Sequence, residues 1–186
     1  MELQKAKAIA EELLELLKLA CERVTIAGSI RRRRPDVGDI EILAIPKFVG
    51  GVDQLDREIG ALVKLDGVDQ LDREIGALVV QRILGLRRNK RGSITYGPQN
   101  KLLLHRPSGI GVDVFSVTES NWGMALFVRT GPKEWNIKAM SRFRELGRRG
   151  HAYGGITDSD GSEITCPDEK TVFKYLQWAY IPPERR

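Results

Sequence analysis

Asp39 and Glu41 stand two residues apart in Asp39-Ile40-Glu41, and Asp113 lies far downstream between Val112 and Val114. Carboxylates at i and i+2 of a strand point to one face, about 7 Å apart along the chain. Left alone, such acids repel each other and lose hydration, and a divalent cation removes that penalty. A third carboxylate from a neighbouring strand completes a hard oxygen site suited to Mg²⁺. Three carboxylates can hold two such ions, which activate an attacking oxygen and neutralise a departing pyrophosphate. Upstream, Gly28-Ser29 at a strand end lets backbone amides and a hydroxyl approach a phosphate closely, and Arg32 adds a charge-assisted contact. An Asp-x-Glu strand by itself is more often a solvent-facing edge. The ordered set decides otherwise: the Gly-Ser turn, Gly38 just before the acidic pair, then Asp113 between apolar neighbours.

The elements that must position these groups are legible in the pattern. Residues 2–22 carry Leu3, Ala6, Ile9, Ala10, Leu13, Leu14 and Leu17 at helical spacing. Val24–Ala27 reads as a short buried strand. Asp39–Ile45 alternates, with Ile40, Ile42 and Ala44 on one face and Asp39, Glu41 and Leu43 on the other. A third strand is expected over Gly111–Val117. Pro132 should open a helix that ends at Gly147, with Trp135, Ala139, Met140, Phe143 and Leu146 inward. Two strands around Asp160-Gly161 read as a hairpin, and a last helix starts near Asp168 and stops before Pro182-Pro183. Asp158–Gly161 lacks the spacing and terminal Glu of a calcium loop and reads as a turn. The fold class is α+β, a sheet covered by helices.

One feature stands apart from this plan. Gly51–Val63 recurs unchanged at Gly67–Val79. Two copies are too few for a solenoid, and a 16-residue period puts them about 160° out of phase on one helix. Two short helices are expected, N-capped by Asp53 and Asp69, one packed and one a surface excursion.

Length and charge bound the rest. At 186 residues and 20.9 kDa the chain fits one domain or two small lobes sharing a cleft. No apolar run approaches the roughly 18 residues of a membrane span. Cys21 and Cys166 with His105 and His151 exclude a disulfide framework and leave little for a Cys/His zinc site, so a reducing, cytoplasmic setting is expected. No role is assigned to either histidine. The net charge of +5 gathers at Arg31–Arg34, Arg87–Arg91 and Arg142–Arg149. Such clusters suit phosphate-rich partners or solvated faces alike, and charge alone does not choose.

The segments GSIRRRRPDVGDIEILAIP (Gly28–Pro46), GVDVFSV (Gly111–Val117), RTGPKEWNIKAM (Arg129–Met140) and YLQWAYIPPERR (Tyr175–Arg186) choose further. Together they resemble the family X (polymerase beta-like) DNA polymerases, nearest the small bacterial and phage nucleotidyltransferases of that group, over residues 22–46 and 109–186. The first segment is common to the nucleotidyltransferase superfamily, whereas the Thr-Gly segment and the tail are specific to the polymerase branch. The resemblance implies a nucleotidyltransferase palm over residues 1–118, with the duplicated insert at 51–79, and a small α/β thumb over 119–186. Asp39, Glu41 and Asp113 would bind two Mg²⁺ ions, with Mn²⁺ able to substitute, and Asp113 would accept the proton of a primer 3′-hydroxyl. Gly28, Ser29, Arg32 and Gly38 would serve the triphosphate. Gly131 would lie beside the sugar and Asn136 would touch the base or its minor-groove edge.

Two positions depart from the family pattern. Glu41 replaces the usual Asp, and Val128-Arg129 replaces an aromatic pair beneath the sugar, placing Arg129 to grip a phosphate. A cis Gly131-Pro132 bond is predicted, since an X-Pro bond lowers the cis cost to about 0.5–1 kcal/mol. The chain starts at the palm helix, so no lyase activity and no helix-hairpin-helix grip are expected.

The implied activity is addition of deoxynucleotides to a DNA 3′ end in short gap filling during repair. Primer-template or gapped DNA and deoxynucleoside triphosphates would be the partners, with a monomeric protein and no membrane. Transfer to a small molecule, RNA or protein stays open, as do template-independent addition and a silent DNA-binding module. Trp135 and Trp178 read as thumb core, and Tyr96 with Gly92–Gly97 as a loop that meets primer or template.

Overall fold

The computed structural model describes residues 1–49, 68–89, 91–153 and 155–186. Its centre is a five-stranded sheet ordered β1-β2-β7-β6-β5, with β1 Cys21–Ile26, β2 Asp39–Pro46, β5 Leu84–Leu86, β6 Asn100–His105 and β7 Gly111–Ser116. Only β2 and β7 run parallel; the other pairs are antiparallel. Alternation along β2 divides the two faces as the sequence requires. Ile40, Ile42 and Ala44 are fully buried under α1 (Leu3–Leu17) and α3 (Gln70–Val80), with Ala6, Ala10, Leu13, Leu71, Ile75 and Leu78. Leu43 faces the other way and packs with Ala27, Phe115 and Trp122. Between β1 and β2 the chain makes a single helical turn, α2 (Gly28–Arg31).

The helix expected to reach residue 22 ends earlier. Leu17 closes α1, Lys18–Ala20 tighten into a 3₁₀ turn, and Cys21 already starts β1, because the edge pairing with Pro46 claims the chain. Asp39–Ile45 and Gly111–Val117 form strands as read, within a residue. Of the duplicated segment, the second copy supplies β4 (Val68–Asp69) and α3. Asp69 caps α3 by accepting from the amides of Leu71 and Asp72 at 2.9 and 3.2 Å. The first copy and Asp53 lie outside the described residues. Short strand β3 (Phe48–Val49) pairs antiparallel with β4.

A second core follows α4 (Trp122–Thr130). Met124, Phe127, Ala139, Phe143, Ile156, Val172, Phe173 and Leu176 are buried together, from α4, α5 (Lys133–Glu145), β9 (Gly155–Thr157) and α6 (Glu169–Leu176). Pro132 stands at the N-cap of α5 and the Gly131-Pro132 bond is cis, as predicted. Trp135 and Trp178 pack edge-on in this core, their ring centroids 5.4 Å apart. Strand β9 lies between β8 (Arg149–His151) and β10 (Glu163–Ile164), so the hairpin at Asp160-Gly161 is present. Among the described residues no helix is long and apolar enough to cross a membrane. Cys21 and Cys166 are free and buried, and burial pushes both thiols up to about 11. His105 is buried against Ser108 (2.7 Å), a satisfied core histidine.

Candidate active site

The register of β2 against β7 sets Glu41 directly beside Asp113, and Asp39 beside Gly111. All three carboxylates therefore share one face of adjacent strands, at the end of the sheet where α2 begins. Glu41 lies along Gly28, whose φ is +64° and where any Cβ would collide with the Glu41 carboxylate. Glycine is required there on both counts. Burial, with Asp39 and Asp113 adding like charge, raises Glu41 to about 7 despite Arg129 and Arg32. Asp113 is raised to about 6, chiefly by burial and against the pull of Arg87, whose guanidinium is hydrogen-bonded to its Oδ1. Gly111 is what admits Arg87, since a Cβ there would meet its guanidinium.

A cavity of about 510 Å³ opens beside these acids, lined by Arg32, Arg129, Lys133 and Arg144 among cations, with Glu41, Gly131 and Asn136. Arg32 Nε, Arg129 Nε and Asn136 Oδ1 in this lining are buried without a partner, as is Ser29 Oγ on α2. Each such atom costs free energy unless a ligand or water completes it. Asn136 is held by its Nδ2, which donates to the Val128 carbonyl (2.7 Å), so its Oδ1 is the orphan. Gly131, with φ +63°, brings the chain close to Arg32, which donates to the Thr130 carbonyl. A Cβ at Gly38 meets nothing within 4 Å, so internal packing does not demand glycine there.

The donor set fits a hard divalent cation: three carboxylates on adjacent strands, two of them raised by burial and by the charge of neighbouring carboxylates. As the side chains stand, no three His, Cys, Asp or Glu among the described residues are drawn together into a metal cage. Arg87 holds Asp113 instead, and supplies the positive charge on its side of the cluster.

Residues 125–186 match the DNA polymerase beta thumb family. Polymerase beta of Leishmania infantum, solved as a ternary P/T complex, shares the fold with a TM-score of 0.70 at 18% identity, over 100% of this chain and 76% of that one. No curated protein matches the sequence. Residues 125–186 are thus similar to the polymerase beta thumb, and the whole chain shares the fold of polymerase beta.

In this polymerase-like frame, sequence reasoning missed three features. Arg87 was one member of a basic run, with nothing to mark it as the partner of Asp113. Arg129 does not stand free: it stacks 3.7 Å from the Phe115 ring centroid and donates to the Tyr153 hydroxyl (2.7 Å). The third is a brace between α2 and α6. Glu169, 5% exposed, accepts two bonds from Arg31 (3.0 and 2.9 Å) and one from Arg186 (2.6 Å). Arg31 also donates to Thr130 Oγ1 at 2.7 Å, so the brace ends one residue from Gly131.

Proposed function

We propose that the protein is a DNA polymerase of the X type, adding deoxynucleotides from their triphosphates to a DNA 3′ end, in short gap filling. One observation carries the reading: Glu41, crowded by Asp39 and Asp113, lines a cationic cavity in which Arg32 Nε, Arg129 Nε and Asn136 Oδ1 lack partners. Asp39, Glu41 and Asp113 would hold Mg²⁺, or Mn²⁺ in its place. Divalent ions bound there supply charge neutralisation for pyrophosphate and activation of the attacking oxygen.

The chain's own groups do the rest. Arg32 and Ser29 bind the triphosphate, with Arg129, Lys133 and Arg144 raising the positive potential around it. Asn136 Oδ1 meets the base edge, and the backbone at Gly131 closes on the sugar. Asp113 accepts the proton of the 3′-hydroxyl at its carboxylate, which burial makes more basic than usual. Arg129 is fixed between Phe115 and Tyr153, so the floor under the sugar is a stacked guanidinium rather than an aromatic ring.

The test is primer extension with Mg²⁺ or Mn²⁺ on single-stranded, recessed and one-nucleotide-gapped DNA, with Asp113→Ala as control. Extension that follows the template and disappears in the control is expected. Template-blind addition would make the protein a terminal transferase. No extension, with metal-dependent nucleotide binding intact, would move the acceptor to RNA, a protein or a small molecule.

A further inference from the structure

A second cavity, of about 530 Å³, opens at the other end of the sheet, where β2 and β7 finish. It lies three residues, or about 10 Å, along β7 from Asp113. Its chemistry is the reverse of the first. Among the described residues no lysine or arginine lines it, whereas Asp69 and Asp72 do. Phe48, Tyr96 and Tyr153 line it, together with Gln99. Phe48 is 51% and Tyr96 38% exposed, large for aromatic side chains beside a cavity. Ser116, 8% exposed, also lines it, and its hydroxyl has no hydrogen-bond partner.

A buried cation beside Tyr96 is already committed. Lys101, fully buried, donates to the carbonyls of Gly97 (3.1 Å) and Pro98 (3.4 Å) and pairs with Asp72 (3.2 Å). Its ammonium lies 5.7 Å from the Tyr96 ring centroid. The lysine thus pins the Tyr96 loop and offers no charge to a phosphate. What remains is an aromatic, uncharged-to-acidic site of ligand-binding size with an orphaned hydroxyl at its wall. Such a site favours a flat ring with polar edges over an anion.

We propose that this cavity is a nucleobase site, in which a heteroaromatic ring stacks on Tyr96 and Phe48 and meets Ser116 Oγ or the Gln99 amide at its edge. The base belongs to the nucleic acid strand on which the protein acts, so the inference rests on the function proposed above. Tyr153 is the reason for that choice: it lines this cavity, and its hydroxyl bonds Arg129, which lines the nucleotide cavity. One side-chain pair therefore separates the two, and a strand ending at Asp113 has a neighbouring base within reach.

The test is fluorescence anisotropy of a labelled single-stranded thymidine 12-mer with the full chain and with Tyr96→Ala, Tyr96→Phe and Ser116→Ala, each also titrated with free adenosine. A fluorescent deoxynucleoside triphosphate, with Mn²⁺, reports the other cavity. Tyr96→Ala should weaken oligonucleotide binding about tenfold, the range of one lost base stack. Tyr96→Phe should restore it, Ser116→Ala should cost about threefold, and triphosphate binding should stay unchanged in all three. Wild-type affinity in Tyr96→Ala overturns the proposal, even where extension succeeds. Tyr96-dependent binding of adenosine with no oligonucleotide binding keeps the base chemistry but refutes the strand as its source. Binding of neither overturns the site, and extension in the same preparation shows separately whether the polymerase reading survives.

Discussion

Glu41 and Glu169 are the same side chain, both largely buried, and their carboxyls move in opposite directions. Burial would raise both. At Glu41 the neighbouring charges Asp39 and Asp113 push the same way, and the carboxyl reaches about 7. At Glu169 the hydrogen bonds and charges of Arg186 and Arg31 outweigh burial and hold it below its ordinary value. The difference separates two uses of buried charge. Glu169 is compensated from both sides by the protein itself, and so joins α2 to α6. Glu41 sits in a cluster that the protein leaves under-compensated, which is the state that a bound cation corrects.

Breaking the compensated glutamate should have the largest effect. Glu169→Ala leaves the guanidinium of Arg186, with no exposed surface, and that of Arg31 without their carboxylate, and should cost about 3–5 kcal/mol. Urea denaturation measures it, and a cost below about 1 kcal/mol would make the brace incidental. Next, Glu41→Gln should stabilise the metal-free protein by about 2 kcal/mol at pH 8. Glu41, raised in the fold, binds its proton more tightly folded than unfolded, so stability falls as pH rises from about 4.5 towards 7. Glu169 has the other sign. Its contribution is complete above pH 4.5 and is lost as pH falls through its lowered folded value. Denaturation from pH 3 to 8 should therefore show the high-pH decline shrink in Glu41→Gln to the part that Asp113, raised to about 6, contributes, and the acid decline shrink in Glu169→Gln.

Magnesium sharpens the contrast. At ten times its dissociation constant, Mg²⁺ should stabilise the wild type by about 1.4 kcal/mol at pH 8. Thermal melts should show the same shift in Glu169→Gln and little in Asp113→Ala. An equal shift in Asp113→Ala would place the ion elsewhere.

The two glutamates also differ in how far the sequence revealed them. Glu41 was legible because period-2 alternation fixes which β2 residues share a face, and because a Gly-Ser turn, Gly38 and a flanked Asp113 recur in order. Helix α5 was legible for similar local reasons: Pro132 before it, an apolar stripe within it, and Gly147 (φ +72°) after it. Glu169 carried no local signal. Its partners come from residues 31 and 186, and only the packing of α6 against α4, beside α2, brings them together. Arg87 was hidden for the same reason, since its meaning depends on the β5-β6-β7 order and the missing side chain at Gly111. The duplicated segment was legible as a repeat, but that its second copy places Leu71, Ile75 and Leu78 in the core and Asp69 in the β3–β4 pairing was not.

That pairing gives the smallest expected effect and the cleanest control. Deleting residues 51–66 joins Gly50 to Gly67 and leaves Val49-Gly50-Gly67-Val68. Val49 and Val68 are already partners in the β3–β4 ladder, so the new connection is a two-residue Gly-Gly hairpin loop, a preferred type. Asp69, Leu71, Ile75 and Leu78 keep their cap and core positions, because α3 is built from the second copy alone. Every named neighbour of Glu41 and Glu169 lies outside the deleted stretch. Shortening the loop reduces its closure entropy, and stability should stay within about 1 kcal/mol of the full chain. Both limbs of the pH profile should be retained, so a lost limb would show that residues 51–66 support one of the two glutamates.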